Sequence, residues 1–216
     1  GGYGAGATAE IFDPSTELFT QIPGPARFRH TATLLDDGRV FIVGGQDDLD
    51  ENWPSLRSAV IYDPGSQSFT TLLEAEEGWL TTARANHTAT FLPENGQVLI
   101  TGGSNDIGAQ NTAEIFDPVN NIIWPLEDTM SATRSSHTAT WVGNDVFIMG
   151  GDTNGTINKY HVSSGSFTGA GSMTTPRNHH TATRLYGDVI LITGGFSPSG
   201  NPGPETKSAE IFEGNL

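Results

Sequence analysis

A short segment, His-Thr-Ala-Thr, occurs four times along this 216-residue chain, beginning at His30, His87, His137 and His180. The copies stand 57, 50 and 43 residues apart. Self-similarity near such a period restricts a chain to repeat architectures, because each unit is one small element that buries its faces only against a neighbour. More than the histidine recurs. Each copy is followed by a polar turn and then by a β-branched run ending in Gly-Gly, at 40–45, 98–103, 146–151 and 190–195. A loop of variable length leads to Ala-Glu-Ile-Phe-Asp-Pro or a relative of it, at 9–14, 59–64, 113–118, a degenerate 157–162, and 209–213. A last segment closes around Phe19, Phe69, Trp124 or Phe167, and an Arg (Arg27, Arg84, Arg134, Arg177) precedes each repeated His by three.

These segments are short, rich in β-branched and aromatic residues, and bounded by Gly, Pro, Asn or Asp, which is strand chemistry. No window holds a helical period. Four strands per unit make a four-stranded antiparallel sheet with two faces to bury, so the units must stack, and radial stacking gives a β-propeller.

Composition narrows the class. Hydrophobic residues are 35% and charged residues 16%, with 27 Gly and 12 Pro, which is a folded rather than a disordered balance. No apolar run approaches the length of a membrane helix. With no Cys, disulfides, thiolate metal sites and a cysteine nucleophile are excluded. The chain opens at Gly1 without Met or a signal pattern, so it reads as mature, trimmed or partial. Asp and Glu number 25 against 10 Lys and Arg, a net charge of -15. That excess argues against nucleic acid, which is bound by counterion release onto Lys and Arg, and against anionic membrane. It suits cations or basic partners.

The doublet Gly44-Gly45 with its equivalents, the aromatic of the following Ile-Phe-Asp-Pro strand and the later aromatic resemble a Kelch repeat. The form resembles the Kelch units of the galactose-oxidase-like superfamily, over nearly the whole chain. The resemblance implies an all-β, Kelch-type β-propeller of four-stranded antiparallel blades, with strands A to D running outward from the axis. Strand A then falls at about 30–35, 87–92, 137–142 and 180–186. The chain supplies strands C and D of one unit, three whole units, and A to C of another, about four and a quarter blades. Kelch propellers usually close with more, so 1–216 is read as a segment of a larger propeller or repeat array. A galactose-oxidase likeness would also imply copper held by Tyr and His beside a Tyr–Cys cross-link, which a chain without Cys cannot form.

Arg27, His30, Arg84, His87, Arg134, His137, Arg177 and His180 occur once per unit, whereas a catalytic residue is needed once per site. They are read as structural, bonding blade to blade with backbone carbonyls as acceptors; a histidine ring holding a metal is the alternative. His179 is an extra histidine in a loop. Function is expected where the repeats differ, in the B–C loops (3–8, 46–57, 104–111, 152–155, 196–207) and D–A loops (73–86, 127–136, 169–178), which share one end of an up-down blade. The candidates there are Asp47, Asp48, Asp50, Trp53, Trp79, Asn105, Asp106 and Phe196. The acidic run 47–51 offers oxygen ligands but lacks the spacing of a calcium loop. Asn86 and Asn154 head glycosylation sequons. No acid–base or nucleophile set converges. The expectation is a non-catalytic scaffold without cofactor or metal, secreted or otherwise extracellular, binding protein or glycan partners. Self-assembly through open strand edges, at 9–13 and 209–212, is a further expectation.

Overall fold

The structure is a computed structural model that describes residues 2–73, 77–199 and 203–214. Gly1, at which the chain opens, lies outside the described residues, as do parts of loops 73–86 and 196–207. Among the described residues the regular structure is entirely β. The strands are β1 (Thr8–Asp13), β2 (Leu18–Pro23), β3 (Arg27–Phe28), β4 (Thr31–Leu34), β5 (Val40–Val43), β6 (Gln46–Asp47), β7 (Ala59–Asp63), β8 (Ser68–Thr71), β9 (Thr88–Leu92), β10 (Gln97–Thr101), β11 (Ala113–Asp117), β12 (Ile122–Pro125), β13 (Thr138–Val142), β14 (Asp145–Met149), β15 (Thr156–His161), β16 (Ser166–Ser172), β17 (Thr181–Arg184), β18 (Val189–Thr193) and β19 (Ala209–Glu213).

They form antiparallel sheets in the orders β1-β2, β4-β5-β7-β8, β9-β10-β11-β12, β13-β14-β15-β16 and β17-β18-β19, here termed blades I to V. The small pair β3-β6 stands apart. This is the expected register of a half blade, three whole blades and three strands. The innermost strands follow one another, β4 beside β9, β9 beside β13 and β13 beside β17.

The cores lie between blades. Leu35, Phe41, Val43 and Ile61 of blade II meet Val98, Ile100 and Phe116 of blade III. There Phe41 and Phe116 stack with ring centroids 3.8 Å apart. Leu99 and Ile115 of blade III meet Val146 and Ile148 of blade IV, and Phe147 and Met149 of blade IV meet Ile190 and Ile192 of blade V. Burial of these branched side chains on both sides of each central blade supplies the main stabilisation, about 25 cal/mol per Å² of apolar surface removed from water.

Outside the cores, local chemistry closes the hairpins. In the Asp-Pro turns, Asp13, Asp63 and Asp117 accept the amides of Ser15, Gly65 and Val119 on Oδ1, each an Asx-type turn. Blade IV lacks Asp-Pro and closes instead through the amide of Gly165, at φ 68°, donating to the His161 carbonyl. The register between its C and D strands shifts from Thr156–Ser172 to Asn158–Gly169, which places the extra residue of the bulge on β16, but the blade is whole.

Candidate functional site

The repeated Arg is the residue that joins one blade to the next. Arg84 lies on the linker from blade II to blade III. Its backbone belongs to blade II: its amide donates to the Leu56 carbonyl at 3.2 Å and its carbonyl accepts the Gly45 amide at 2.9 Å. Its side chain belongs to blade III, donating to the carbonyls of Gly102 and Thr112, the Thr112 hydroxyl, and Glu114 at 2.7 Å. Arg27, Arg134 and Arg177 repeat the same fork on Gly44 and Ser58, Gly150 and Thr156, and Gly194 and Ser208. The rigid, planar donor set of guanidinium matches these fixed acceptors, which Lys would not. The fourth partner is the residue after Ala113, Ile157 or Ala209 in the C strand: Glu114, Asn158 or Glu210. Blade II has Val60 there, and burial lowers Arg27 to about 10 while Asp47 holds it up.

His87, His137 and His180 reach back one blade. The Nε2 atoms share hydrogen bonds with the hydroxyls of Thr31 (2.9 Å), Thr88 (3.0 Å) and Thr138 (3.0 Å) respectively. The Arg side chains take backbone carbonyls, Arg84 those of the blade after the one that holds its backbone, whereas the His side chains cross between blades onto threonine hydroxyls rather than the expected carbonyls. Burial, then the neighbouring Arg charge, pushes these imidazoles down, to about 4 for His30 and His180 and about 3 for His87, with His137 well below its ordinary value. They stay neutral at physiological pH.

This packing explains Gly-Gly. Both glycines have positive φ, 61° and 92° at Gly44 and Gly45. A Cβ on Gly44 would stand 2.8 Å from Cε1 of His87, the next blade's histidine, and one on Gly45 2.9 Å from Cβ of His30, its own. Gly102 and Gly150 meet His137 and His180 likewise. Gly194 has the same conformation, φ 68°, with nothing within 4 Å of its Cβ position.

The residue before each repeated His is left-handed: Arg29 (φ 56°), Asn86 (52°), Ser136 (54°) and His179 (51°). Their backbones form a chain across the blades. The Asn86 amide donates to Arg29, Ser136 to Asn86, and His179 to Ser136, at 3.0, 2.9 and 2.8 Å. His179 is thus the fourth member of a periodic position, not an extra.

On the same end of the blades the two loop sets meet. Arg27–Phe28 pairs with Gln46–Asp47, Ala85 with Ser104, and Asn178 with Phe196. The loop candidates divide here. Asp48 accepts the amides of Gly4 (2.8 Å) and Gly6 (2.9 Å), clasping the blade I loop to that of blade II. Asp106, at the equivalent place in blade III, accepts the Ser55 amide. Asp47, Asp50 and Asn105 accept amides two residues on, at Leu49, Asn52 and Ile107. Trp79 is half-buried in a seam with Trp124 and Pro125, its indole N–H donating to the Leu72 carbonyl at 2.6 Å. Phe196 packs edge-on to His179, centroids 6.3 Å apart.

Trp53 stands differently. It is 41% exposed and held at φ 47°, with its carbonyl accepting from the Gln46 amide side chain. Its ring lies 5.4 Å from Tyr3 and 6.2 Å from Phe28, all three edge-on. Phe28 is buried, whereas Tyr3 is 68% exposed. With Gly2 and Arg29 these rings line a notch of about 600 Å³. Arg29 lies over Phe28, Cζ 5.4 Å from the centroid, and donates to Gln46 Oε1 at 2.8 Å. Tyr3, Phe28 and Arg29 are not singled out by the repeat pattern; a hydrophobic residue after the linker Arg, where the other units have Ala, Ser and Asn, is the one sequence sign of the notch.

The copper centre that a galactose-oxidase likeness implies does not fit these residues. The histidine Nε2 atoms of His87, His137 and His180 are bonded to threonines in separate seams, and no Cys is present. Among the described residues no three His, Asp or Glu side chains are grouped to hold a metal.

Four-stranded meanders packed face to face, tied by Arg and His and closed by Gly-Gly, are propeller blades. The Kelch motif family model matches residues 27–72, from the linker Arg27 to the end of blade II, and the other blades repeat the same Arg, His and Gly-Gly signature. Alpha-scruin of Limulus polyphemus is 29% identical over 126 residues, 58% of this chain and 13% of that protein. Kelch-like protein 33 of Homo sapiens is 25% identical over 130 residues, 60% of this chain and 23% of that protein. Beta-scruin of Limulus polyphemus is 28% identical over 133 residues, 58% of this chain and 13% of that protein. The match spans less than a quarter of the length of each relative.

Proposed function

We propose that this chain is a non-catalytic scaffold that binds protein partners through the end of the blades carrying its B–C and D–A loops. The Tyr3–Phe28–Trp53 cluster carries this reading. Two of its rings are exposed on a wall anchored by the Asp48 clasp, and an exposed apolar patch with a polar rim is characteristic of interaction sites. Tyr and Trp are also the residues on which binding energy concentrates. Glycan as a ligand and an extracellular setting belong to the same proposal, the latter supported by the two sequons and the acidity. Because Leu80 and Arg84 are buried, the test replaces only 49–53 by a short turn. Loss of partner capture in solution supports the proposal; partners captured as well as before overturn it.

A further inference from the structure

The aromatic notch has a chemistry that selects its occupant. We propose that it takes a basic peptide segment, with an Arg or Lys side chain laid against Trp53 and Tyr3 and its charge toward Asp50 and Glu51. This rests on the protein-binding reading above and names the partner's chemistry.

Three observations carry it. The first is charge. The loop that presents Trp53 holds four carboxylates, and two of them are committed inward: Asp48 to the amides of Gly4 and Gly6, Asp47 to that of Leu49 beside the buried Arg27. Asp50 and Glu51 are exposed; Asp50 bonds only its neighbour Asn52, and Glu51 has no partner among the described residues. Asp50 and Glu51 precede Trp53 on the same loop, and in a chain of net charge -15 they favour cations over anions there, against the one positive charge on the notch wall, that of Arg29, which is bonded to Gln46. The second is that the wall already holds a guanidinium on an aromatic ring, Arg29 over Phe28, with one of its donors taken by Gln46. Trp and Tyr are the stronger cation–π partners, and theirs are the exposed rings. The third is rigidity. Trp53 is fixed at positive φ by the Gln46 bond to its carbonyl and the bond from its amide to the Asp50 carbonyl, and Tyr3 is held by the Asp48 clasp. A backbone held there against its preference persists because its surroundings enforce it, and a preformed site binds with less ordering cost. An acidic segment would meet Asp50 and Glu51 uncompensated, and an apolar one would leave them idle.

The test uses three fluorescein-labelled peptides of one length: Gly-Arg-Leu-Gly-Arg-Leu-Gly, the same with citrulline for Arg, and the same with Glu for Arg. Anisotropy is read on the full chain and on W53A, Y3A, a D50N/E51Q pair and a D36N/E94Q pair in the A–B turns at the opposite end. The Arg peptide should bind at least tenfold tighter than the citrulline peptide, and the Glu peptide weakest. W53A and Y3A should each weaken the Arg peptide tenfold or more, D50N/E51Q several-fold with a flatter salt dependence, and D36N/E94Q not at all. Absence of Arg-peptide binding, binding indifferent to both W53A and Y3A, or equal weakening by D36N/E94Q overturns the proposal. Citrulline or Glu peptide bound as tightly as Arg, and lost in W53A, also overturns it while leaving the loop end as a binding surface.

Discussion

Cε1 of His87 lies 2.8 Å from the place a Cβ would occupy on Gly44, one blade earlier in the chain. The glycine is required both by its own positive φ and by the ring that fills the space above it. The two requirements separate along the chain, because Gly194 keeps the first and lacks the second. Gly194→Ala should cost only backbone strain, about 1–2 kcal/mol. Gly102→Ala meets Cε1 of His137 at 2.7 Å and the Arg134 carbonyl at 2.8 Å in addition, and should cost at least about 2 kcal/mol more. Urea denaturation of the two variants measures the difference; equal midpoints would show that the histidine does not set the doublet.

The Arg84–Glu114 pair is buried on both sides, 0% and 1% exposed. Glu114 also accepts the amide and hydroxyl of Thr81. Glu114→Ala leaves a buried guanidinium and two linker donors short of an acceptor, and should cost about 3–5 kcal/mol. Glu210→Ala, at a partly exposed pair, should cost clearly less. Thermal unfolding of both variants checks the order, and a reversed order would refute the account.

The neutral histidines make stability depend on pH. Above about pH 6.5 they are uncharged in both folded and unfolded chains. As pH falls below that value, the unfolded chain takes up protons that the folded chain refuses. Stability is therefore lost from about pH 6.5 down to the folded values, about 4 for His30 and His180 and about 3 for His87. Each such ring adds a slope of about 1.4 kcal/mol per pH unit. The urea midpoint should be markedly lower at pH 5 than at pH 7, and His87→Gln should flatten that dependence. A midpoint unchanged across the interval would contradict buried neutral imidazoles.

The sequons differ in access. Asn154 is exposed in the turn after Gly151, whereas Asn86 is half-buried, left-handed and bonded through its backbone to blades on both sides. In a secreting eukaryotic host, glycan should be found on Asn154 and not on Asn86. Peptide mapping after deglycosylation reads this directly, and Asn86 occupancy in the folded protein would count against its place in the ring.

The blades were legible because their signals are local and repeated: Gly-Gly, Asp-Pro and the strand aromatics each mark a turn or a pairing within one unit. The partners of Arg and His were not, because they are set by distances between units. The Glu of the C strand looks like a surface residue by alternation until the linker Arg folds over it; Glu114 shows this, and Val60 hides it. The left-handed ring is hidden further, since Arg29, Asn86, Ser136 and His179 share a backbone conformation and no side-chain type. Of the loop candidates, Trp53 could be named from the sequence, but its companion Tyr3 comes to it through the Asp48 clasp, a contact 44 residues long in sequence.

The Gly45 amide finds its acceptor, the Arg84 carbonyl, only in the linker of the following blade. The amides of Gly103 and Gly151 likewise reach the carbonyls of Arg134 and Arg177, so during synthesis blades II to IV leave the ribosome with the inner corner unfinished and are completed by residues translated afterwards. Assembly along this chain has a direction, and a nascent chain halted between linkers would present its newest sheet as the natural target for a chaperone.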